Sequence, residues 1–409
     1  MSEPVTPRPT LRLRLARAAE AQVRKGHPWV YESAVRQANR DGLTGEVAVI
    51  YDRRDKLLAI GLFDNESPIR VRILQRGPAR IDRPWLESRV AEAVARRHGL
   101  VDESTNGLRL IHGESDGLPA LVLDRYADVA VLKLYSAAWL GRLQELTAIC
   151  REVVAPRRLV LRLSRNLQDL AGREHGLRDG TLLFGPPLDG VPTFLESGLR
   201  FEADVLKGQK TGFFLDQRDN RRRVGDLAAG RDVLNAFSYS GGFSLYAARG
   251  GARSVTDMDI SRHALAAAAR NFDLNKLALS RAVSGGAACP YDQIQGDVFK
   301  LLEEDGPSFD LIVLDPPSLA RRKKERDNAL GAYGRLAAAA VRRLRPGGVL
   351  LSASCSAQVT AEDFFQTVRR AVRASGRHVR ELQATHHPPD HPCTFPEAAY
   401  LKGIYFEIR

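Results

Sequence analysis

From about Val191 onward, short apolar segments at Val233–Phe237, Ser254–Met258, Asp310–Leu314 and Val349–Ser352 alternate with stretches of helical length. The latter lie near Phe243–Arg249, His263–Leu274, Val298–Glu303 and Gly331–Arg343. Few architectures satisfy this alternation. Parallel strands need long crossovers, the crossovers are helices, and the helices bury both faces of the sheet. The pattern predicts a doubly wound, Rossmann-like α/β domain over 191–409. Ligands of such sheets bind beyond the carboxyl ends of the strands, so the residues following each strand are the first to inspect.

The preceding residues read differently, and 409 residues exceed one ordinary domain. Residues 1–76 hold short apolar stretches such as Val47–Ile50 and Leu57–Gly61. The alternation Ile69-Arg70-Val71-Arg72-Ile73 predicts a strand with one charged face. This is a small β-rich domain. Residues 77–190 predict an α+β domain, with helices at Trp85–His98 and Leu140–Val154 and strands at Leu118–Asp124, Ala130–Leu134 and Leu159–Leu163. Asp116-Gly117 reads as a hairpin-type turn, and Gly185–Gly190 as a connector.

Sixty-one Lys and Arg against 49 Asp and Glu give a formal net charge of +12. A polyanionic partner explains such a balance, because cations neutralise phosphates and release counterions; a basic solvated surface is the plainer explanation. Lys25, His27 and Trp29 put charge and a stacking ring beside a turn, an arrangement suited to RNA or to simple packing. Arg321, Arg322 and Lys323 form a second basic cluster. No apolar run reaches membrane-spanning length and the first residues are polar, so a cytoplasmic protein with no membrane partner is expected. The cysteines, Cys150, Cys289, Cys355 and Cys393, form no C-x-x-C pair, and no metal site is expected.

Three strand ends suit a nucleoside cofactor. Phe237-Ser238-Tyr239-Ser240-Gly241-Gly242 follows the first strand, and glycine there admits a close ligand. Asp259 ends the second strand and suits the ribose hydroxyls, better placed than Asp257; it could equally cap the next helix. Asp297 follows a third strand and suits an adenine amino group, or caps the helix at Val298. NAD fits the spacing, but the glycine run is not G-x-G-x-x-G. The fourth strand ends in Asp315-Pro316-Pro317-Ser318 and the fifth in Ser354-Cys355-Ser356, which directs a carboxylate and a thiol at one crevice. A buried inert thiol is the alternative for Cys355.

These motifs carry a resemblance. Lys210-Thr211-Gly212-Phe213-Phe214-Leu215-Asp216-Gln217-Arg218-Asp219, Phe237–Phe243, Asp315–Ser318, Ser354–Ser356 and the tail His391-Pro392, Pro396-Glu397 and Tyr400-Leu401-Lys402-Gly403 resemble the bacterial cytosine-5 methyltransferases of 23S ribosomal RNA. The resemblance implies a class I methyltransferase domain using S-adenosyl-L-methionine, preceded by a PUA-like RNA-binding domain and a central α+β domain. It implies Cys355 as nucleophile on carbon 6 of cytosine, and Asp315 at ring nitrogen 3. It also places Gln217, Arg218, Phe237, Ser238, Tyr239, Gly241, Asp259, Asp297, Asp315 and Pro316 around the cofactor. For Arg218 the plainer expectation is an ion pair with Asp216 or Asp219 on a solvated turn. Many related RNA methyltransferases carry a second cysteine where this chain has Pro317, so a one-cysteine scheme is implied. Asn235 stands where an acidic residue is common, and Ser284–Pro290 reads as an inserted loop. Two alternatives stay open: methylation of an exocyclic amine, weakened because Ser318 rather than an aromatic follows the prolines, and a non-catalytic RNA-binding assembly factor.

Overall fold

The computed structural model describes residues 9–282 and 289–409; most of the expected Ser284–Pro290 loop lies outside them. The chain forms two compact units.

The first unit comprises residues up to Asp102, Asn106–Pro192 and Ala203–Phe213. It contains two sheets. Strands β1 (Leu11–Leu15), β2 (Trp29–Tyr31), β3 (Val35–Ala38), β4 (Val47–Tyr51), β5 (Leu57–Phe63) and β6 (Ile69–Arg76) pair in the order β2-β6-β5-β4-β1-β3. Helix α1 (Arg17–Arg24) packs its Val23 into their core with Leu11, Leu13 and Ile50. The second sheet orders β7 (Gly107–His112), β8 (Leu121–Tyr126), β9 (Val129–Leu134), β10 (Arg158–Leu163) and β11 (Thr181–Phe184) as β11-β10-β9-β8-β7. Helices α2 (Arg83–Ala95), α3 (Leu143–Ile149) and α4 (Arg165–His175) accompany it. Asp82 caps α2 by accepting from Trp85 N, and Pro84 occupies the first turn, where its missing N–H costs nothing.

Two sequence expectations change here. The helix expected over 140–154 is broken into a 3-10 turn at Ala137–Arg142, α3, and a wider turn at Cys150–Val154 that stops at Ala155, with φ 49°. Asp116-Gly117 is not a tight hairpin. It closes a 3-10 turn within the longer β7–β8 connection, where the buried Asp116 carboxylate pairs with Arg96 and Arg97 at 2.7 Å each.

The second unit comprises Glu103–Thr105, Thr193–Glu202 and Phe214–Arg409. The hairpin β12 (Thr193–Glu196) and β13 (Leu199–Glu202) precedes a seven-stranded sheet. Its strands are β14 (Asp232–Ala236), β15 (Ser254–Asp259), β16 (Tyr291–Gln295), β17 (Phe309–Leu314), β18 (Leu344–Ser354), β19 (Val379–Thr385) and β20 (Lys402–Ile408), ordered β16-β15-β14-β17-β18-β20-β19. The first five are parallel; β20 runs antiparallel to both neighbours. The helices are α5 (Arg218–Leu227), α6 (Gly242–Arg249), α7 (Arg262–Ala282), α8 (Val298–Glu303), α9 (Arg326–Arg342) and α10 (Ala361–Arg373). The expected strands at Val233, Ser254, Asp310 and Val349 are all present within a few residues. β18 begins earlier, and β19, β20, α5 and α10 add to the expected set.

The register sets the site. Ile294, Met258, Ala236, Leu314 and Ser352 stand side by side across five strands. Whatever follows them lies along one carboxyl edge.

Candidate active site at the carboxyl edge

The turn after β14 is shaped before any ligand enters. Phe237 and Tyr239 hold φ of 62° and 47°, a left-handed backbone that side chains normally avoid and that marks functional turns. Both Phe237 N and Ser238 N donate to Met258 O, at 2.8 and 3.1 Å. Tyr239 N donates to Asp259 Oδ2 at 3.0 Å. Gly241 caps α6 at φ 73°; a Cβ there would come within 2.9 Å of Ala268 Cβ. Ser238 Oγ is buried and has no hydrogen-bond partner among the described residues. A buried orphan hydroxyl is costly, so an oriented acceptor or donor from a ligand would complete it.

Asp259 is half-buried and also accepts from Ser261 N at 2.8 Å, so it both ties the two turns together and leads into α7. Asp257 is fully buried instead. It accepts from Asn235 Nδ2, Ser244 Oγ and Tyr291 OH, and burial pushes its carboxyl up to about 6. Asn235, where an acidic residue is common in related enzymes, serves this network. Asp297 is exposed and caps α8 by accepting from Phe299 N at 3.0 Å. Phe237 and Phe299 meet edge to face at 5.7 Å, forming an apolar wall on that side.

Past β17, Asp315 accepts from Gln217 Nε2 at 2.8 Å. Burial, followed by the neighbouring Asp216 carboxylate, pushes Asp315 up to about 7, against the opposing pull of Gln217 and Arg221. Gln217 is itself held: its Oε1 accepts from Asn220 Nδ2 at 2.6 Å, and Asn220 Oδ1 accepts from Thr385 Oγ1 at 2.8 Å. Past β18, Cys355 Sγ lies 3.9 Å from Pro316 O. Thus the thiol and the Asp-Pro turn are neighbours. Ser356 Oγ receives Leu319 N and Ala320 N and meets Tyr333 OH at 2.9 Å, tying the two strand ends together.

Arg218 is not on a solvated turn. It is 2% exposed and pairs with buried Asp390 through two bonds of 2.9 and 3.1 Å. Asp219 remains 3.8 Å away, whereas Asp216 accepts from Tyr400 OH. Sequence reading missed Asp390, Thr385 and Tyr333, which lie remote in sequence from what they orient, and Asn220, three residues from the Gln217 it holds. Lys402, quoted only as part of the tail motif, is fully buried with its Nζ on Ser356 O and Val359 O at 2.6 Å and Tyr400 O at 3.0 Å. A lone lysine in the apolar run before Ile404-Tyr405-Phe406 was the available signal.

Of the other expected residues, Arg321, Arg322 and Lys323 are exposed, and the first two lend their N–H groups to Glu325. In the first unit Lys25 is exposed. Trp29 is half-buried, its Nε1 donates to Glu114 at 2.8 Å, and His27 meets it edge to face at 5.9 Å. Cys150 is buried, with its thiol pushed up to about 12 by burial; Cys393 is exposed. Among the described residues no group of three His, Cys, Asp or Glu is placed to hold a metal, and no helix is long and apolar enough to cross a membrane.

A parallel sheet with a strained glycine turn, two acidic strand ends and a carboxylate–thiol pair defines a nucleoside-cofactor enzyme of the class I methyltransferase type. Residues 109–407 match the S-adenosylmethionine-dependent methyltransferase family, and residues 13–76 match a PUA-like domain. The chain belongs to that methyltransferase family, and S-adenosylmethionine is its cofactor. It is 51% identical, with both chains covered completely, to a ribosomal RNA large subunit methyltransferase of Deinococcus radiodurans. It is 36% identical to ribosomal RNA large subunit methyltransferase I of Shewanella amazonensis, over 98% of this chain and 100% of that one. A solved methyltransferase structure complexed with SAH superposes with a TM-score of 0.82 at 21% identity, covering 97% of this chain and 99% of that one, which shows a shared fold.

Proposed function

We propose that the protein methylates carbon 5 of a cytosine in 23S ribosomal RNA through a covalent Cys355 adduct. The observation that carries this reading is the placement of Cys355 Sγ 3.9 Å from the Pro316 carbonyl, beside Asp315, on the edge that bears the strained Phe237–Gly241 turn. The names of the relatives support the RNA substrate, and the basic net charge agrees with it. The division into a PUA-like domain (1–76), a central domain (77–190) and a catalytic domain (191–409) belongs to the same proposal, as does a cytoplasmic location.

Bound S-adenosylmethionine supplies an electrophilic methyl group. Ser238, Tyr239 and Gly241 would hold the methionine part, Asp259 the ribose hydroxyls, and Asp297 and Phe237 the adenine. Gln217 and Pro316 border the reacting end. Arg218 acts through its Asp390 pair, which fixes the start of α5.

Carbon 5 of cytosine is a weak nucleophile. The Cys355 thiolate adds to carbon 6, and the displaced electron pair makes carbon 5 enamine-like. Asp315 holds ring nitrogen 3. With its carboxyl pushed up to about 7, it lends that nitrogen a proton as the adduct forms and takes it back later. Carbon 5 would then take the methyl group that the bound cofactor supplies, the cofactor leaving as its neutral thioether. Carbon 5 then gives up its proton, to a water or to Asp315, and the electron pair expels the thiolate. A base within a duplex must first be flipped out, which is where Lys25, His27, Trp29, Arg321, Arg322 and Lys323 contribute by holding the strand.

The test uses RNA containing 5-fluorocytosine, whose fluorine cannot leave as a proton does. Wild type with cofactor gives a denaturation-resistant RNA complex. Cys355→Ala loses both the complex and methyl transfer, and Cys393→Ala keeps both. The opposite pairing would transfer the role to Cys393. Methyl transfer to an exocyclic amine without any adduct would overturn the cytosine-5 mechanism.

A further inference from the structure

The buried ammonium of Lys402 forms no ion pair with a carboxylate among the described residues, although an uncompensated buried charge is expensive. Its three N–H groups are spent on three backbone carbonyls, those of Ser356, Val359 and Tyr400. Antiparallel pairing sets Lys402 opposite Ser354, so the ammonium sits under the turn that carries Cys355. Burial pulls the ammonium down to about 8, and Cys355 is the group that favours its charged form.

We infer that Lys402 is a positioning residue for the nucleophile: it clamps the Ser356–Val359 turn and stabilises the Cys355 sulfur as thiolate. The inference rests on reading Cys355 as the nucleophile. An ordinary thiol, with a value near ~8.5, is mostly protonated at neutral pH, and only the thiolate attacks. Pro316, Tyr333, Asp315, Ser354 and Ser356 do not supply a positive charge to this turn. Pro316 O, 3.9 Å from Sγ, accepts a proton and so favours the thiol. Tyr333 stays a neutral phenol, because burial raises it. Asp315 would repel a thiolate when ionised. The serine hydroxyls of Ser354 and Ser356 are taken up with Tyr333 and the Leu319 and Ala320 amides. With all its donors committed, Lys402 acts on the sulfur through charge, and the coupling is mutual: a thiolate forming nearby offsets the cost of the buried cation.

The test is alkylation of the full-length protein by iodoacetamide across pH, with the Cys355 peptide resolved by mass so that Cys289 and Cys393 do not confuse the reading. In wild type the midpoint of Cys355 alkylation lies below the ordinary value of about 8.5. In Lys402→Met it rises by about one pH unit or more, with calorimetry showing cofactor bound within about twofold of wild type. A purely structural lysine would lower activity without moving the midpoint. A wild-type midpoint at or above the ordinary thiol value overturns the inference, and this needs no variant, should Lys402→Met fail to fold. An unchanged midpoint in folded Lys402→Met overturns it too. If Cys355→Ala retains methyl transfer, the nucleophile reading fails, and the midpoint shift still reports separately on the lysine–thiolate coupling.

Discussion

At the scale of single residues, the site works by setting charges against their surroundings. Asp259 accepts from Tyr239 N and Ser261 N and retains capacity for a ligand hydroxyl, since a carboxylate offers about four acceptor sites. Asp259→Ala is expected to weaken S-adenosylmethionine binding by about 1–3 kcal/mol, the scale of a lost charged hydrogen bond. Calorimetry on the folded variant checks this, and unchanged affinity would remove Asp259 from the cofactor site. Asp315 gives a prediction with a sign. Its carboxyl is raised in the folded chain from 3.8 to about 7, so between those values the folded state binds more protons than the unfolded state. Stability from this group is therefore full below about 4 and declines as pH rises through about 7. Asp315→Asn removes the dependence. Its melting temperature should exceed that of wild type by more at pH 8 than at pH 5, by a few degrees on the usual scale of about 2–4 °C per kcal/mol for a unit of this size. Equal differences at the two pH values would mean that the carboxyl is not held up by its burial.

Among elements, the strand ends that carry chemistry were legible because each is a short apolar run closed by a turn residue, and Asp315-Pro316 and Phe237–Gly241 follow directly. What braces them was not. β19 is a mostly exposed edge strand of charged and polar residues, with none of the apolar alternation that marks a strand. The helix expected over 140–154 looked continuous because its apolar spacing persists through backbone that changes its turn. The partner of Arg218 lies 172 residues further along the chain, beyond the reach of any local pattern. That pair has consequences for the whole catalytic unit. Breaking a buried pair strands one charge, so Arg218→Met or Asp390→Leu alone should cost about 3–5 kcal/mol. The double substitution Arg218→Met/Asp390→Leu should recover part of it, because neither charge of the pair is stranded, although His391 Nδ1 loses the Asp390 oxygen 3.1 Å away. Urea unfolding of the four proteins reads this as a double-mutant cycle. Losses that simply add would show that the two residues do not depend on each other.

For the whole molecule the question is where RNA is gripped. Removing residues up to Arg76 is a poor test, because Leu62 and Leu74 of the first sheet are buried in the same core as Leu108, Leu121 and Trp139, and Ser136 Oγ donates to Asp64 at 2.5 Å. Cutting there would expose the apolar floor of the second sheet, and a loss of binding would report unfolding. Charge reversal avoids this. Lys25, Arg321, Arg322 and Lys323 are all exposed, so replacing them with Glu disturbs no core. Each cation that neutralises a phosphate releases about one counterion on binding. A protein carrying Lys25→Glu, or the triple change at 321–323, should therefore bind ribosomal RNA fragments more weakly at every salt concentration. Its plot of log affinity against log salt should be shallower by about one for each cation removed from a phosphate. S-adenosylmethionine affinity should stay as in wild type, because no residue of the Phe237–Gly241 turn or Asp259 is touched. Should either variant keep both the affinity and the slope of wild type, that cluster is solvated surface, and the grip on RNA lies elsewhere among the 61 Lys and Arg residues.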